Sequence, residues 1–221
     1  MTTILSTLEH TSLDPLITYQ QVEQLIKEVK KYPFRGVCIP PYWVKKVKRE
    51  LGDTSLKVVT VVGFPLGYQR TATKRQELQT AIADGADEVD IVMCLSAFKS
   101  GAYDWVKIEF AQLTKLAHEH EKLVKVIIET AYLDDTEIEK ACQLCTQAGV
   151  DFIKTSTGFA PSGAQAKQIA YIKSLLPDYV GIKASGGIKT PAQVQTMLEA
   201  GAEIIGTSSG VAIAEALSAN H

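Results

Sequence analysis

Along the whole chain, short β-branched apolar runs alternate with stretches in which apolar residues recur every three or four positions. The first pattern is that of a buried strand, the second that of an amphipathic helix. Strands are predicted at residues 5–11, 37–39, 58–62, 88–93, 125–129, 152–154, 180–183 and 204–206. Helical stripes fall between them: Val22, Leu25, Ile26 and Val29; Trp43, Val44 and Val47; Leu78, Ala81 and Ile82; Ile108, Ala111 and Leu116; Ile169, Ile172 and Leu176; Val194, Met197 and Leu198. Thr18-x-x-Gln21 and Thr136-x-x-Glu139 have the spacing of capping boxes, and Thr190-Pro191 that of a cap followed by a first helical residue. Eight strand–helix units in 221 residues predict a single-domain α/β fold, the TIM (β/α)8 barrel.

A repeated phrase locates the chemistry. Ala83-Asp84-Gly85-Ala86-Asp87, Gln147-Ala148-Gly149-Val150-Asp151 and Glu199-Ala200-Gly201-Ala202-Glu203 each end a helical stretch with a glycine placed as its C′ residue. Five residues beyond each glycine stand Asp90, Lys154 and Gly206. Equal offsets from equivalent turns predict similar depths in their strands, facing the barrel interior if the alternation keeps phase. Asp90 is an acid in an otherwise apolar strand, where an unpaired charge is costly. Lys154 ends its strand just before Thr155-Ser156-Thr157-Gly158, on the barrel face where active sites form.

The next strand repeats the plan, with Lys183 followed by Ala184-Ser185-Gly186-Gly187. Two ammonium groups on neighbouring strands repel, which lowers the pKa of one amine from about 10.4 toward neutrality and makes it a nucleophile for a carbonyl. The competing arrangement pairs each lysine with its own carboxylate, Asp90 and Glu129. Gly186-Gly187-Ile188 and Gly206-Thr207-Ser208-Ser209-Gly210 follow the last two strands, where barrels commonly hold a phosphate on backbone N–H groups.

Composition removes other readings. A formal net charge of -2 leaves no basic footprint for nucleic acid or anionic membrane. The N-terminus lacks the charged start and apolar run of a signal peptide, and no segment approaches the ~20 apolar residues of a membrane span, so a cytoplasmic protein with no membrane partner is expected. Cys142-x-x-Cys145 lies mid-helix with no second pair, which predicts core packing rather than a metal site. His118 and His120, two apart on a helix, do not share a face.

Over nearly its whole length the chain resembles the deoxyribose-phosphate aldolases. The resemblance runs through Glu9-His10-Thr11, Val37-Cys38-Ile39-Pro40, Val61-Val62-Gly63-Phe64-Pro65-Leu66-Gly67, Gly85-Ala86-Asp87-Glu88-Val89-Asp90, Lys125-Val126-Ile127-Ile128-Glu129-Thr130, Phe152-Ile153-Lys154-Thr155-Ser156-Thr157-Gly158, Lys183-Ala184-Ser185-Gly186-Gly187-Ile188 and Gly206-Thr207-Ser208-Ser209. It implies a class I aldolase that cleaves 2-deoxy-D-ribose 5-phosphate to glyceraldehyde 3-phosphate and acetaldehyde, without metal or organic cofactor. By the same resemblance Lys154 is the Schiff-base lysine, Lys183 the lysine that perturbs it and Asp90 the acid of the proton relay. Glu9, Thr11 and Cys38 are implied near the substrate, and Thr157, Gly158, Gly186, Gly187, Gly206, Ser208 and Ser209 in the segments that contact it. Barrels of this kind often dimerise through outer helices, so a homodimer is expected. Other readings are a different Schiff-base aldolase or transaldolase, or a sugar-phosphate-binding barrel without catalysis. The sequence departs from the family in Glu9, where aspartate is common, in Met93-Cys94, and in ending Ala219-Asn220-His221 without a tyrosine that some relatives carry.

Overall fold

The computed structural model describes residues 2–219. Eight parallel strands close into one barrel in chain order: β1 (Leu8–Thr11), β2 (Gly36–Ile39), β3 (Lys57–Val62), β4 (Glu88–Val92), β5 (Leu123–Ile127), β6 (Phe152–Lys154), β7 (Gly181–Ser185) and β8 (Ile204–Thr207), with β8 pairing back onto β1. The helices run α1 (Thr2–Leu5), α2 (Tyr19–Lys31), α3 (Val44–Leu51), α4 (Thr71–Ala83), α5 (Leu95–Lys99), α6 (Tyr103–His118), α7 (Asp135–Gln147), α8 (Ala166–Leu175), α9 (Pro191–Glu199) and α10 (Gly210–Ala219). Among the described residues no helix is long and apolar enough to cross a membrane.

Three details differ from the pattern reading. Leu5 ends a short helix, and the first strand begins only at Leu8. In α6, Leu116 of the expected stripe is buried but Ile108 and Ala111 are exposed, because the buried face also runs through Val106, Phe110, Leu113 and Ala117. The capping box of α7 is Asp134 with Glu137, not Thr136 with Glu139: the Asp134 side chain accepts from the Glu137 N–H while Glu137 accepts from the Asp134 N–H. The Thr18–Gln21 and Thr190–Gln193 boxes form, with Pro191 opening α9.

The repeated glycine phrase is a structural unit. Gly85, Gly149 and Gly201 each follow a helix with φ of +99°, +74° and +111°, the left-handed region that glycine enters without a Cβ penalty. Two residues on, Asp87 and Asp151 turn back and accept the N–H groups of Val58 and Val124 at the base of the preceding strand. These clamps fix where β4 and β6 start, and so how high their inward side chains stand.

Alternation then sorts the strand residues. Val58, Val89, Ile91, Val124, Val126, Ile153, Ile182 and Ile205 point outward and merge with the helices in one continuous apolar core. The inward residues make a different interior. Cys38, Val59 and Val61 form a small apolar cluster on the β2–β3 side. Elsewhere the interior mixes apolar Phe152 and Ile204 with a cluster of charged side chains.

Candidate active site

Seven inward or inward-reaching charged side chains share that interior: Glu9 from β1, Arg35 just before β2, Glu88 and Asp90 from β4, Lys125 from β5, Lys154 from β6 and Lys183 from β7. Asp90 pairs with Lys125 across the sheet and Lys154 with Lys183, yet the slanted register of the barrel brings all four together. Oδ2 of Asp90 accepts from Lys154 Nζ at 2.9 Å and from Lys183 Nζ at 2.6 Å. On its other side Oδ1 lies 3.2 Å from Lys125 Nζ. Glu9 bridges Lys183 through one oxygen and, through the other, Arg35 at 2.7 Å and Lys125 at 3.5 Å. Glu88 takes both guanidinium nitrogens of Arg35 and lies 2.5 Å from Lys125.

Burial this deep favours neutral forms, so the charge states are decided by partners. Burial works to raise the Asp90 carboxyl, but Lys125, Lys154 and Lys183 together hold it well below the ordinary carboxylate range. Burial works to deprotonate Lys183, but Asp90 and Glu9 outweigh it and hold its ammonium above the ordinary lysine range. Lys125 is likewise held charged, by Asp90, Glu9 and Glu88 against burial and the nearby Lys183. Gly206 matters here for what it lacks, since a Cβ there would come within 3.1 Å of the Lys183 stem.

Lys154 is the member of the cluster that reaches the open. Above it lies a cavity of about 430 Å³ at the C-terminal face, lined by Thr11 to Asp14 after β1, by Thr157 to Phe159 after β6, by Ser185 to Lys189 after β7 and by Gly206 to Ser208 at β8. The two loops beside the lysines are stitched together: Ser185 Oγ donates to the Ser156 carbonyl at 2.7 Å, and Thr155 Oγ1 accepts the Ser185 N–H at 3.1 Å. Glu129 pairs with neither lysine. Its backbone sits at φ 55°, ψ 66°, uncommon for a non-glycine residue. Its carboxylate accepts the Thr157 N–H at 3.1 Å and the Thr157 hydroxyl, holding the turn after β6. Burial pushes the Glu129 carboxyl up.

A family model described as DeoC/LacD family aldolase matches residues 4–216. The chain belongs to this aldolase family. It is 45% identical over 210 residues to a deoxyribose-phosphate aldolase of Thermococcus gammatolerans, covering 94% of this chain and 93% of that one. Among solved structures it superposes on the aldolase QR15 with a TM-score of 0.94 at 40% identity, covering 100% of this chain and 98% of the other. A deoxyribose phosphate aldolase of Aeropyrum pernix, described as a unique tetrameric structure, gives a TM-score of 0.90 at 33% identity over 99% and 92% of the two chains.

Within this family aldolase the residues singled out by resemblance divide into three places. Thr11, Lys154, Thr157, Gly158, Gly186, Gly187, Gly206 and Ser208 line the cavity. Asp90 and Lys183 lie directly beneath Lys154. Glu9, Cys38 and Ser209 do not line it. Glu9 is fully buried with both oxygens engaged below, and Cys38 is sealed in the apolar cluster, its thiol pushed up to about 11 by burial. Ser209 uses its carbonyl to start α10 and its N–H to bond Thr207. Met93 is buried, and Cys94 stands at the residue before α5, in a separate hollow beside Trp105, so this departure from the family stands outside the cavity. Asn220 and His221, and with them the missing tyrosine, lie outside the described residues. The sequence reading passed over Arg35, Glu88, Lys125 and the cavity-lining Lys189. Glu88 and Lys125 carried a signal: each lies two positions from an inward residue, Asp90 and Ile127, and period two places it on the same face.

Proposed function

We propose that this family aldolase is a class I enzyme that cleaves 2-deoxy-D-ribose 5-phosphate reversibly to D-glyceraldehyde 3-phosphate and acetaldehyde, in deoxyribose phosphate catabolism, with Lys154 as its Schiff-base amine. One observation carries the residue assignment: two lysine nitrogens converge on one carboxylate oxygen, and of the two only Lys154 lines the cavity. Lys183 is held charged by two carboxylates.

The Lys154 amine adds through its lone pair to the aldehyde carbon of the open-chain sugar. The carbinolamine loses water to give an iminium. Removal of the proton from the C3 hydroxyl sends the C2–C3 bonding electrons into the iminium, releasing glyceraldehyde 3-phosphate and leaving an enamine. Protonation at C2 and addition of water then return acetaldehyde and the free amine. Asp90, bonded to both lysines, moves protons through this sequence with Lys183 and a water. Borohydride reduction with deoxyribose 5-phosphate, followed by peptide mapping, tests the assignment: the adduct is expected on Lys154, and its absence or its location elsewhere rejects it.

The phosphate is assigned to the loops after β7 and β8, with Lys189 at the cavity rim as counter-charge. Gly187 has φ +79°, and a Cβ built on it meets nothing within 4 Å. Gly187→Asp would therefore place a carboxylate in the space the phosphate needs, and Gly187→Asn imposes the same backbone strain without the charge. At about 4 Å such repulsion amounts to roughly 1–4 kcal/mol between water-like and partly buried surroundings. KM for deoxyribose 5-phosphate is expected to rise about tenfold or more in the Asp variant relative to the Asn variant, with KM for unphosphorylated 2-deoxyribose nearly equal in the two. Equal effects on both substrates would mean that the phosphate is held elsewhere.

We also propose a homodimer and a cytoplasmic location. Trp105 and Ile108 on the outer face of α6, with Leu66 and Tyr68 nearby in sequence to α4, are large apolar side chains at least half exposed, and such groups favour a covered surface. All four cysteines are free, in keeping with a reducing compartment. Sedimentation analysis is expected to give a dimer for the wild type and a monomer for Trp105→Glu; a monomeric wild type rejects the dimer.

A further inference from the structure

In the run Glu9-His10-Thr11, the first and last residues face the barrel interior and the cavity, so strand alternation turns His10 outward. There it is buried between β1 and the helices α2 and α10, and held from two sides. Nε2 lies 2.8 Å from a carboxylate oxygen of Glu28 on α2. The ring packs on Phe34, with the two ring centroids 5.3 Å apart. Nδ1 is buried without a hydrogen-bond partner, so this edge of the ring offers its neighbour shape rather than a bond.

That neighbour is Gly210, the first residue of α10. A Cβ built on Gly210 would stand 2.7 Å from His10 Nδ1, 3.2 Å from His10 Cγ and 3.2 Å from Phe34 Cζ. The first of these is closer than real Cβ atoms come, so any other residue would drive helix and ring apart. The backbone does not ask for glycine here, because Gly210 is not among the glycines with positive φ, and glycine is a poor helix former. What the missing Cβ permits is close approach: the first turn of α10 rests directly on the His10 ring.

This end of α10 belongs to the cavity rim. His10 pairs in register with Thr207 of β8. The Thr207 hydroxyl accepts the Ser209 N–H at 2.9 Å and donates to the Ile188 carbonyl at 2.6 Å, tying the start of α10 to the loop after β7. Ser208, between them, lines the cavity. The distance of α10 from β1 therefore sets where Ser208 and the backbone N–H groups around it stand.

We propose that His10 is a positioning residue for the substrate phosphate: braced by Glu28, its ring is the spacer that seats α10 and thereby places the loop after β8 at the cavity. His10 lines no part of the cavity and acts through the helix. This rests on the phosphate being held by the loops after β7 and β8.

Gly210→Ala forces ring and helix apart, and His10→Ala removes the spacer. Each is expected to raise KM for deoxyribose 5-phosphate about tenfold, the weakening of one hydrogen bond to a charged group, while kcat and the KM for unphosphorylated 2-deoxyribose stay within about twofold of wild type. Removing the ring also removes the clash, so His10→Ala combined with Gly210→Ala is expected to be no worse than His10→Ala alone. His10→Ala carries the comparison by itself if Gly210→Ala fails to fold. A KM that rises alike for both substrates, stays unmoved for deoxyribose 5-phosphate, or multiplies in the combined variant overturns the proposal. The Gly187→Asp and Gly187→Asn pair separates the two levels. If that pair shows the phosphate to be held elsewhere, the site reading fails and this proposal with it; a phosphate found at Gly187 with His10→Ala behaving as wild type refutes only the role of His10.

Discussion

Lys154→Ala is expected to abolish both the borohydride adduct and aldol cleavage while the barrel stays folded. The first half follows from the loss of the amine that lines the cavity. The second follows from the surroundings of the side chain. Removing Lys154 leaves three carboxylates facing Arg35, Lys125 and Lys183, a balanced set with no orphaned charge. The vacated stem adds to a cavity already open to solvent, so no sealed void forms and the large cost of a buried truncation is avoided. Mass spectrometry after reduction reads the adduct, a coupled assay reads glyceraldehyde 3-phosphate, and thermal denaturation reads the fold. An adduct at wild-type yield would move the nucleophile to another lysine, with Lys183 the first to examine by peptide mapping.

Asp90→Asn is expected to fail in two measurable ways. Deleting the proton-transfer carboxylate slows the chemical step by roughly 10²-fold or more, the usual range for a lost acid or base. The amide also takes from Lys154 the carboxylate it is paired with, leaving Lys183 to Glu9 and Lys125 to Glu9 and Glu88, and breaking a buried pair of this kind costs about 3–5 kcal/mol. pH separates this stability loss from unrelated damage. Because the folded Asp90 is held well below the ordinary range, its stabilising contribution is complete above the unfolded value of about 3.9 and is lost as pH falls through the depressed folded value. The gap in Tm between wild type and Asp90→Asn should therefore be widest near neutrality and narrow below about pH 4. A variant with near-normal turnover would make Asp90 a structural carboxylate only, and a gap indifferent to acid would mean that its charge is not what stabilises the barrel.

Much of the site was legible because its signals are local. Lys154 and Lys183 end apolar strands before small-residue turns, and the glycine phrases at helix ends repeat at equal offsets from Asp90, Lys154 and Gly206. These depend on strand period and on turns that need a left-handed residue, both of which are written in neighbouring positions. The helix stripes were less secure where several apolar residues compete. In α6 the expected face through Ile108 and Ala111 lost to Val106, Phe110 and Leu113, since packing against the barrel chooses between two phases that propensity alone leaves open. At α7 two capping boxes two residues apart were available, and the aspartate at Asp134 took the cap.

Partner choice inside the barrel belongs to the tertiary structure. The sequence by itself determined an eight-strand barrel, the strand end at which chemistry occurs, and the presence of an acid, two lysines and two glycine loops there. It left open whether the lysines face one another as like charges or pair one each with Asp90 and Glu129. The barrel decided for sharing, because the slanted register brings Asp90 under both Lys154 and Lys183 while the left-handed turn at Glu129 turns that carboxylate toward Thr157. It also added Arg35, Glu88 and Lys125 to the same cluster and withdrew Glu9 and Cys38 from the cavity. Coulomb interactions depend on distance and burial rather than on separation along the chain, and both are set only when the first strand closes against the eighth.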